Sequence, residues 1–355
     1  MTAAAQIAID IVINNHNYAS FLPAAIESAG AQGHEEVNVI VVDDGSTDGS
    51  RQLLESSSAD IDTVLKENGG QASALNAGLR RCAGDVVMFL DADDVLRPQA
   101  AARVAAAFAA EEQAVKVQFR LDVIDAAGAP TGALKPASYQ KMPSGDMRET
   151  ELASPYDIAW LPTSAIAFRR AALSPILPIP EDKYPVTGAD WYLNHLTALL
   201  GPIVSIDEVL GSYRVHGANR YELQAAELDL DRMRETIEFA EVTSAELLRV
   251  AGELGLPHPD RILSIADLAN RMISVRMDPA RHPVPDDSPS RLLADAVRAA
   301  RRRAIATAPI KAAFVAWFAA MAVLPRRLAR PLAERFLFPE RRNALNPLLS
   351  RLQRH

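Results

Sequence analysis

The sequence predicts an α/β fold with a mostly parallel sheet and helices on both of its faces, followed by a C-terminal α-helical region. Two observations support this prediction. Over roughly the first 125 residues, short apolar runs rich in Val and Ile alternate with segments of helical periodicity, which is typical of a parallel sheet covered on both faces. Beyond residue 225 the periodicity is helical only. A length of 355 residues is sufficient for two domains.

The individual strands and helices of the first part follow from the local sequence. Strands are predicted where apolar, largely β-branched runs lie between turn-forming residues, and these are residues 7–13, 37–42, 61–65, 86–90 and 115–123. Helices are predicted where apolar residues recur at helical spacing, and these are residues 18–29, 46–54, 71–82 and 98–110. Residues 126–155 are rich in Gly, Pro, Ser and Lys, which indicates an irregular insertion or a lid.

Composition divides the chain into four predicted segments. They are an α/β domain at residues 1–222, a helical extension at 223–277, a proline-rich linker at 278–290 and a basic amphipathic helical tail at 291–355. The single cysteine, Cys82, excludes a disulfide within the chain, and residues 1–13 lack the pattern of a secretory signal. We therefore expect a reducing, cytoplasmic compartment.

Charge is distributed unevenly along the chain. The formal net charge is −8, but residues 291–355 contain 14 Lys and Arg against 3 Asp and Glu, which leaves 23 basic and 42 acidic residues elsewhere. An acidic body argues against nucleic-acid binding. Residues 301–330 combine arginines with an apolar helical stripe, which predicts contact with an anionic membrane surface. The stripe consists of Ile310, Phe314, Trp317, Phe318, Met321 and Leu324.

The membrane interpretation of this stripe has alternatives. The apolar run at residues 312–324 has 13 residues, fewer than the roughly 20 that span a bilayer. The stripe could instead pack on its own domain or form a contact between copies in a homo-oligomer. If it binds lipid, the protein lies at the inner face of the cell membrane.

Polar residues follow four consecutive predicted strands. Ligands of such sheets bind beyond the carboxyl ends of the strands, so these residues are candidate binding residues. In strand order they are Asn14, Asn15, His16 and Asn17, then Asp43 and Asp44, then Asn68, Gly70 and Asn76, and finally Asp91, Ala92 and Asp93. One Asp-Gly turn would be ordinary, but four polar strand ends in phase indicate a single site.

The pair Asp91 and Asp93 indicates a divalent metal. Two carboxylates directly after an apolar strand repel each other unless a cation compensates for their charge. Oxygen ligands suit Mg²⁺ or Mn²⁺, which typically bind substrate phosphates as well. The alternative is that this Asp-rich segment only caps the following helix.

The order and spacing of these motifs resemble family 2 of the glycosyltransferases, whose fold is termed GT-A. The resemblance covers roughly residues 5–220. It implies that Asp91 and Asp93 hold Mg²⁺ or Mn²⁺ on the diphosphate of a nucleotide sugar, and that His216 completes the metal site. It also implies that these strand-end residues, including Asp91 and Ala92, bind the nucleotide.

Asp190 resembles the catalytic base of that family. An inverting sugar transfer needs one carboxylate beside the acceptor hydroxyl to take its proton. A helix N-cap is the alternative role for Asp190. Trp191 is expected to stack on an acceptor sugar, with core packing as its alternative, and Arg214 to contact the acceptor or the diphosphate.

The resemblance implies a metal-assisted, inverting enzyme that moves a sugar from a nucleotide-diphosphate sugar to a hydroxyl of a glycan or lipid-linked acceptor in the cell envelope. Two departures from the family pattern leave alternatives open. His16 lies in an unusual opening motif, and Ala189 replaces the usual Glu before Asp190. The alternatives are a degenerate protein that binds a nucleotide sugar or a partner without turnover, and a nucleotidyltransferase.

Overall fold

The computed structural model describes residues 7–217, 219, 228–302 and 307–337. The chain forms two compact units. The first is drawn from Met1–Arg148 and Ala159–Arg220, and the second from Glu149–Ile158 and Tyr221–His355. The part of the predicted tail beyond residue 337 lies outside the residues described.

The second unit includes a short segment that the sequence assigned to the α/β domain, residues 149–158. Two polar side chains of this segment account for the difference. The hydroxyl of Tyr156 donates to the carbonyl of Ala240 at 2.6 Å, and Asp157 accepts from the backbone N–H of Ala266 at 3.0 Å. The predicted boundary therefore missed a passage of the chain through the second unit.

Regular structure covers most of the first unit. Its strands are β1 (Ile9–Asn15), β2 (Val37–Asp44), β3 (Asp62–Lys66), β4 (Val86–Asp91), β5 (Val95–Leu96), β6 (Lys116–Asp125), β7 (Pro130–Lys135), β8 (Ile166–Arg169) and β9 (Ile203–Val215). The helices of the whole described chain are α1 (Leu22–Gly30), α2 (Ser50–Glu55), α3 (Gly70–Leu79), α4 (Ala100–Ala110), α5 (Arg148–Ala153), α6 (Ala189–Leu200), α7 (Leu230–Glu253), α8 (Ile265–Met277), α9 (Pro289–Arg302), α10 (Ala308–Val323) and α11 (Arg326–Leu337).

The sheet is mixed rather than mostly parallel. Its strand order is β3-β2-β1-β4-β8-β6-β9-β5, with β7 paired to β6. The pairs β1–β2, β1–β4, β2–β3 and β6–β9 are parallel, and the pairs of β8, β5 and β7 with their neighbours are antiparallel. The parallel half contains the strands whose ends the sequence singled out. The central residues of β1, β2 and β4 are fully buried, as the continuous apolar runs predicted, whereas the residues of β3 are partly exposed. The α/β fold class is confirmed.

The segment predicted as an irregular insertion contains regular structure. β7 returns along β6 as an antiparallel hairpin, closed by a turn in which the Asp125 carboxylate accepts from the N–H groups of Ala127 and Ala129. Most β7 side chains are exposed, which explains why no apolar alternation marked the strand in the sequence.

The second unit is built from helices around one apolar core. Asp229 is the N-cap of α7, and its side chain accepts from two N–H groups of the first turn. The helical extension predicted at 223–277 is interrupted between α7 and α8, where Gly255 adopts a φ of +65° and prolines follow at 257 and 259. α8, α9, α10 and α11 contribute buried side chains to the same core.

The predicted amphipathic stripe of α10 packs into this core. Phe318 and Met321 are fully buried, and Phe314, Trp317 and Leu324 pack against the same cluster. The Trp317 ring lies 4.4 Å from that of Phe336, and its N–H donates to the carbonyl of Leu332 at 3.3 Å. The stripe therefore packs on its own domain, the first of the two alternatives. None of the helices that the structure describes is long and apolar enough to cross a membrane.

Candidate active site

The carboxyl ends of β1, β2 and β4 lie side by side. β1 pairs in parallel with both neighbours, which sets Asn15 opposite Asp43 and Asn14 opposite Asp91. A parallel register therefore brings polar residues from distant parts of the sequence to one edge of the sheet. This edge is where ligands of α/β sheets bind.

Asp43 is a fixed carboxylate at this edge. It accepts hydrogen bonds from Asn15 Nδ2 at 2.9 Å and from Arg51 Nε at 3.1 Å. Burial alone would raise the pKa of Asp43, but hydrogen bonds from Ser46, Asn15 and Arg51 hold that pKa below its ordinary value. Asp43 is therefore ionised at neutral pH, and its side chain is fully buried.

His16 and Asn17 are exposed beside this carboxylate. His16 Nδ1 lies 2.8 Å from the carbonyl oxygen of Asp44, and Asn68 Nδ2 lies 3.1 Å from the same ring nitrogen. Asn17 has a φ of 62°, and its Oδ1 accepts from the N–H of Thr47 at 2.7 Å. These contacts fix the imidazole at an accessible position, where it can stack on a base.

Asp44, predicted as a nucleotide contact, is bound by the protein itself. Its carboxylate pairs with Lys66 at 2.5 Å and accepts from the N–H groups of Gly69 at 3.0 Å and Gly70 at 2.8 Å. The role that these bonds support is to hold the turn between β3 and α3.

Asn76, also predicted to bind the nucleotide, is buried and bonded to the protein itself. Its Nδ2 donates to the carbonyl of Ile179 and its Oδ1 accepts from the N–H of Ile179, both at 2.9 Å. Nδ2 also donates to Glu181 at 3.0 Å. Asn76 thus pins a loop that precedes α6.

Four carboxyl groups lie close enough to affect one another. The pKa of Asp91 is raised to about 7, chiefly by burial and to a smaller extent by the charges of Asp93 and Asp190. Burial, followed by Asp93 and Asp91, also raises the pKa of Asp94 well above its ordinary value. The pKa of Tyr18 is also raised, chiefly by burial and then by the charges of Asp93, Asp91 and Asp94. Such repulsion indicates a site that a cation would stabilise.

Asp93 contacts His216, the residue predicted to complete the metal site. His216 Nε2 lies 3.0 Å from Asp93 Oδ2, and the imidazole packs 4.9 Å from the ring of Phe21. However, no three His, Cys, Asp or Glu side chains among the residues described converge as a ready-made metal site.

The donor set nevertheless fits Mg²⁺ or Mn²⁺. These ions are commonly bound by one or two carboxylates together with substrate phosphates, rather than by a cage of protein ligands. Asp91 and Asp93 supply the two carboxylates. The side-chain oxygen of Asn14 and the Oδ2 of Asp94 are buried without a hydrogen-bond partner in the structure. Unsatisfied buried oxygens beside repelling carboxylates favour a cation there.

Asp190 lies in the first turn of α6. Its Oδ1 accepts from the N–H of Trp191 at 2.8 Å. Burial raises the pKa of Asp190, and backbone hydrogen bonds oppose that rise. Trp191 is half-buried, with its ring 5.0 Å from that of His195. A raised pKa makes the ionised carboxylate a stronger proton acceptor.

Arg214 does not take the predicted position. Its guanidinium is buried, donates to the carbonyl of Asp93 at 2.7 Å, and stacks over the ring of Phe21 at 5.1 Å. Arg214 therefore supports the Asp-rich loop through the backbone of Asp93, and its contact with the diphosphate stays a prediction.

Two residues of the site were missed by the sequence interpretation. Ser164 Oγ accepts from the N–H of Asp91 at 3.0 Å, and the side chain of Thr163 hydrogen-bonds the Asp91 carboxyl group. Both come from a short helical turn before β8, about 70 residues downstream. No local signal marks them, because their role depends on the pairing of β8 with β4.

The sequence matches the family model described as glycosyl transferase family 2 over residues 10–177. It is 38% identical over 217 residues to an uncharacterized glycosyltransferase of Nostoc sp., covering 60% of this chain and 66% of the relative. It is 40% identical over 93 residues to an undecaprenyl-phosphate 4-deoxy-4-formamido-L-arabinose transferase of Pseudomonas fluorescens, covering 24% of this chain and 27% of that protein. The chain thus spans about two thirds of the first relative and about a quarter of the second.

The fold is similar to that of a solved glycosyltransferase. The mannosyltransferase PcManGT from Pyrobaculum calidifontis, in complex with GDP-Man and Mn²⁺, superimposes with a TM-score of 0.50 at 17% sequence identity. The similarity covers 96% of this chain and 88% of that one. It bears on the fold alone.

Proposed function

The chain belongs to glycosyl transferase family 2, and we propose that it is an inverting enzyme that transfers a sugar from a nucleotide-diphosphate sugar to a hydroxyl of a glycan or lipid-linked acceptor. The observation that carries the proposal is the carboxylate cluster at the strand edge, where Asp190 acts electrostatically on Asp91. This cluster supports proton transfer by Asp190 and metal binding by Asp91 and Asp93.

The chemistry assigned to the residues is as follows. The acceptor hydroxyl attacks the anomeric carbon while its proton passes to Asp190, and the bond from that carbon to the diphosphate oxygen breaks with its electron pair on the diphosphate. Asp91 and Asp93 would hold Mg²⁺ or Mn²⁺, which stabilises charge on the leaving diphosphate. Asp43 and His16 are assigned to the nucleoside.

Two similar proteins support the assignment of substrates. The mannosyltransferase neighbour is named with GDP-Man and Mn²⁺, which supports a nucleotide-sugar donor and a divalent metal. The Pseudomonas relative is named as an undecaprenyl-phosphate transferase, which supports a lipid-linked acceptor in cell-envelope synthesis.

Thermal unfolding with UDP, GDP and dTDP, each with and without Mn²⁺, tests the donor site. We expect one nucleotide to stabilise the protein only when the metal is present. At about 100 times its Kd, a ligand adds about 2.7 kcal/mol, which raises Tm by roughly 5–11 °C for a domain of this size. If no nucleotide shifts Tm with metal present, the donor site is wrongly assigned. Binding without transfer would favour the degenerate protein, and release of pyrophosphate the nucleotidyltransferase.

The proposed membrane contact falls on the corner between α10 and α11, because most of the predicted stripe packs on the helices of its own unit. Val323 and Leu328 are 78% and 53% exposed there. Arg326 and Arg327 are exposed between them. Large apolar side chains beside arginines match an anionic lipid surface. This surface would hold the enzyme at the inner face of the cell membrane.

Charge reversal tests this contact. In the double variant Arg326→Glu and Arg327→Glu, binding to vesicles that contain anionic lipid should fall by about 30-fold or more, because each arginine contributes about 1 kcal/mol at such a surface. The variant Arg80→Glu and Arg81→Glu makes the same change in net charge on the first unit and should bind normally. Equal binding by both variants would reject the contact. Self-association that only the first variant disrupts, without vesicles, would assign the corner to a homo-oligomer.

A further inference from the structure

The turn at the start of α3 closely approaches the loop that leads into α6. Gly70 has a φ of +81°, and a Cβ at this position would lie 2.0 Å from the carbonyl oxygen of Pro185. The N–H of the next residue, Gln71, donates to the carbonyl of Val186 at 3.2 Å. The missing side chain of Gly70 therefore lets the two segments pass in contact.

The side chain of Gln71 caps α6 from outside that helix. Its Oε1 accepts from the N–H groups of Gly188 and Ala189, both at 3.1 Å. Such N–H groups at a helix start have no carbonyl partner within the helix. Gly188, at the N-cap position, has no side chain to serve them. The amide of Gln71 thus binds the two backbone groups directly before Asp190.

The same turn is held from the other side by the strand edge. The carboxylate of Asp44, at the end of β2, accepts from the N–H groups of Gly69 and Gly70. Gln71 follows directly in sequence. A continuous set of hydrogen bonds therefore runs from the proposed nucleotide edge, through the start of α3, to the first turn of α6.

We infer that Gln71 is a positioning residue for Asp190, an inference that rests on the proposed function. Gln71 acts through the backbone of α6 and contacts no reacting group. By fixing the first turn of that helix, its amide oxygen sets where the Asp190 carboxylate meets the acceptor hydroxyl. Displacement of a catalytic group by about 1 Å can cost about 100-fold in rate.

The test compares two glutamines that cap helices in the same way. Gln32 Oε1 accepts from the N–H of Ala101 at 2.9 Å, at the start of α4. Gln71→Met should lower kcat by about 10- to 100-fold and change the donor KM by less than about twofold. Gln71→Glu keeps the acceptor oxygens and should restore most of kcat. Gln32→Met removes an equivalent bond and should leave both parameters unchanged.

A second measurement tests the inference without relying on enzyme activity. Amide hydrogen exchange at residues 188–191 should become about tenfold faster or more in Gln71→Met, and remain unchanged in Gln32→Met. The inference is overturned if Gln71→Met keeps kcat within about twofold, or if Gln32→Met loses as much, or if exchange at 188–191 is unaltered. If the wild type transfers no sugar at all, the proposed function fails, and exchange alone decides whether Gln71 holds α6.

Discussion

An Asp190→Asn variant is expected to lose about 10³-fold in kcat while its donor affinity stays within about threefold of the wild type. Asn has nearly the same shape, and its side-chain oxygen can still accept from the N–H of Trp191, as Asp190 does at 2.8 Å. It cannot take a proton from the acceptor hydroxyl. Steady-state kinetics and donor titration by calorimetry would measure the two effects separately.

The pH dependence provides an internal control for this variant. Because burial raises the pKa of Asp190, the acid limb of kcat/KM in the wild type should lie at higher pH than for an exposed aspartate, and the limb should be absent in Asp190→Asn. A folded-state pKa above the unfolded value means that stability from this group is complete at low pH and is lost as pH rises through the folded pKa. The variant should therefore be at least as stable as the wild type at pH 8. Retention of more than about a tenth of kcat would remove Asp190 from the base role.

The second large effect is expected from Asp91→Asn. This variant should lose the metal-dependent stabilisation by nucleotide, which is about 2.7 kcal/mol at 100 times Kd, and with it most transfer activity. The matched control is Asp85→Asn, where an exposed aspartate precedes the opposite end of β4. The control should keep the full Tm shift. A metal-dependent shift that survives in Asp91→Asn would contradict the assigned metal site.

Because protons and the metal compete for the Asp91 carboxylate, metal affinity at the same site should depend on pH. Burial and the carboxylates of Asp93 and Asp190 raise the pKa of Asp91 to about 7, and a metal binds only the ionised form. The affinity of the wild type for Mn²⁺ should therefore fall by about tenfold per pH unit below pH 7. An affinity that is constant between pH 5 and about 7 would show that Asp91 is not a ligand.

The strand-end residues were predictable because a parallel sheet has a simple geometry. Once four apolar runs are recognised as neighbouring strands, the residues after them must lie at one edge, and the pairing of Asn14 with Asp91 follows. The functions of Asp44, Asn76 and Arg214 were not predictable in this way. Their hydrogen bonds to Gly70, Ile179 and Asp93 depend on loops whose paths no periodicity encodes.

The sequence predicted that the C-terminal region is helical, but it did not predict how these helices pack on one another. The stripe on α10 has the pattern of a lipid-binding face, yet the same pattern serves a helix that packs on its neighbours. Only the contacts of Phe318 and Met321 distinguish the two. The break after α7 was signalled by Gly255 and the prolines at 257 and 259, and a stricter use of these residues as helix terminators would have found it.

The passage of residues 149–158 through the second unit has a consequence for how this protein can be divided. A single helical turn at Pro155–Asp157 packs on α8, and the chain then returns to supply β8 to the first unit. Dividing the chain after residue 222 would separate the ten residues 149–158 from their partners in the second unit, including the carbonyl of Ala240. Neither unit can therefore be exchanged intact by a single recombination crossover. During synthesis on the ribosome, residues 149–158 emerge well before the helices of the second unit with which they pack.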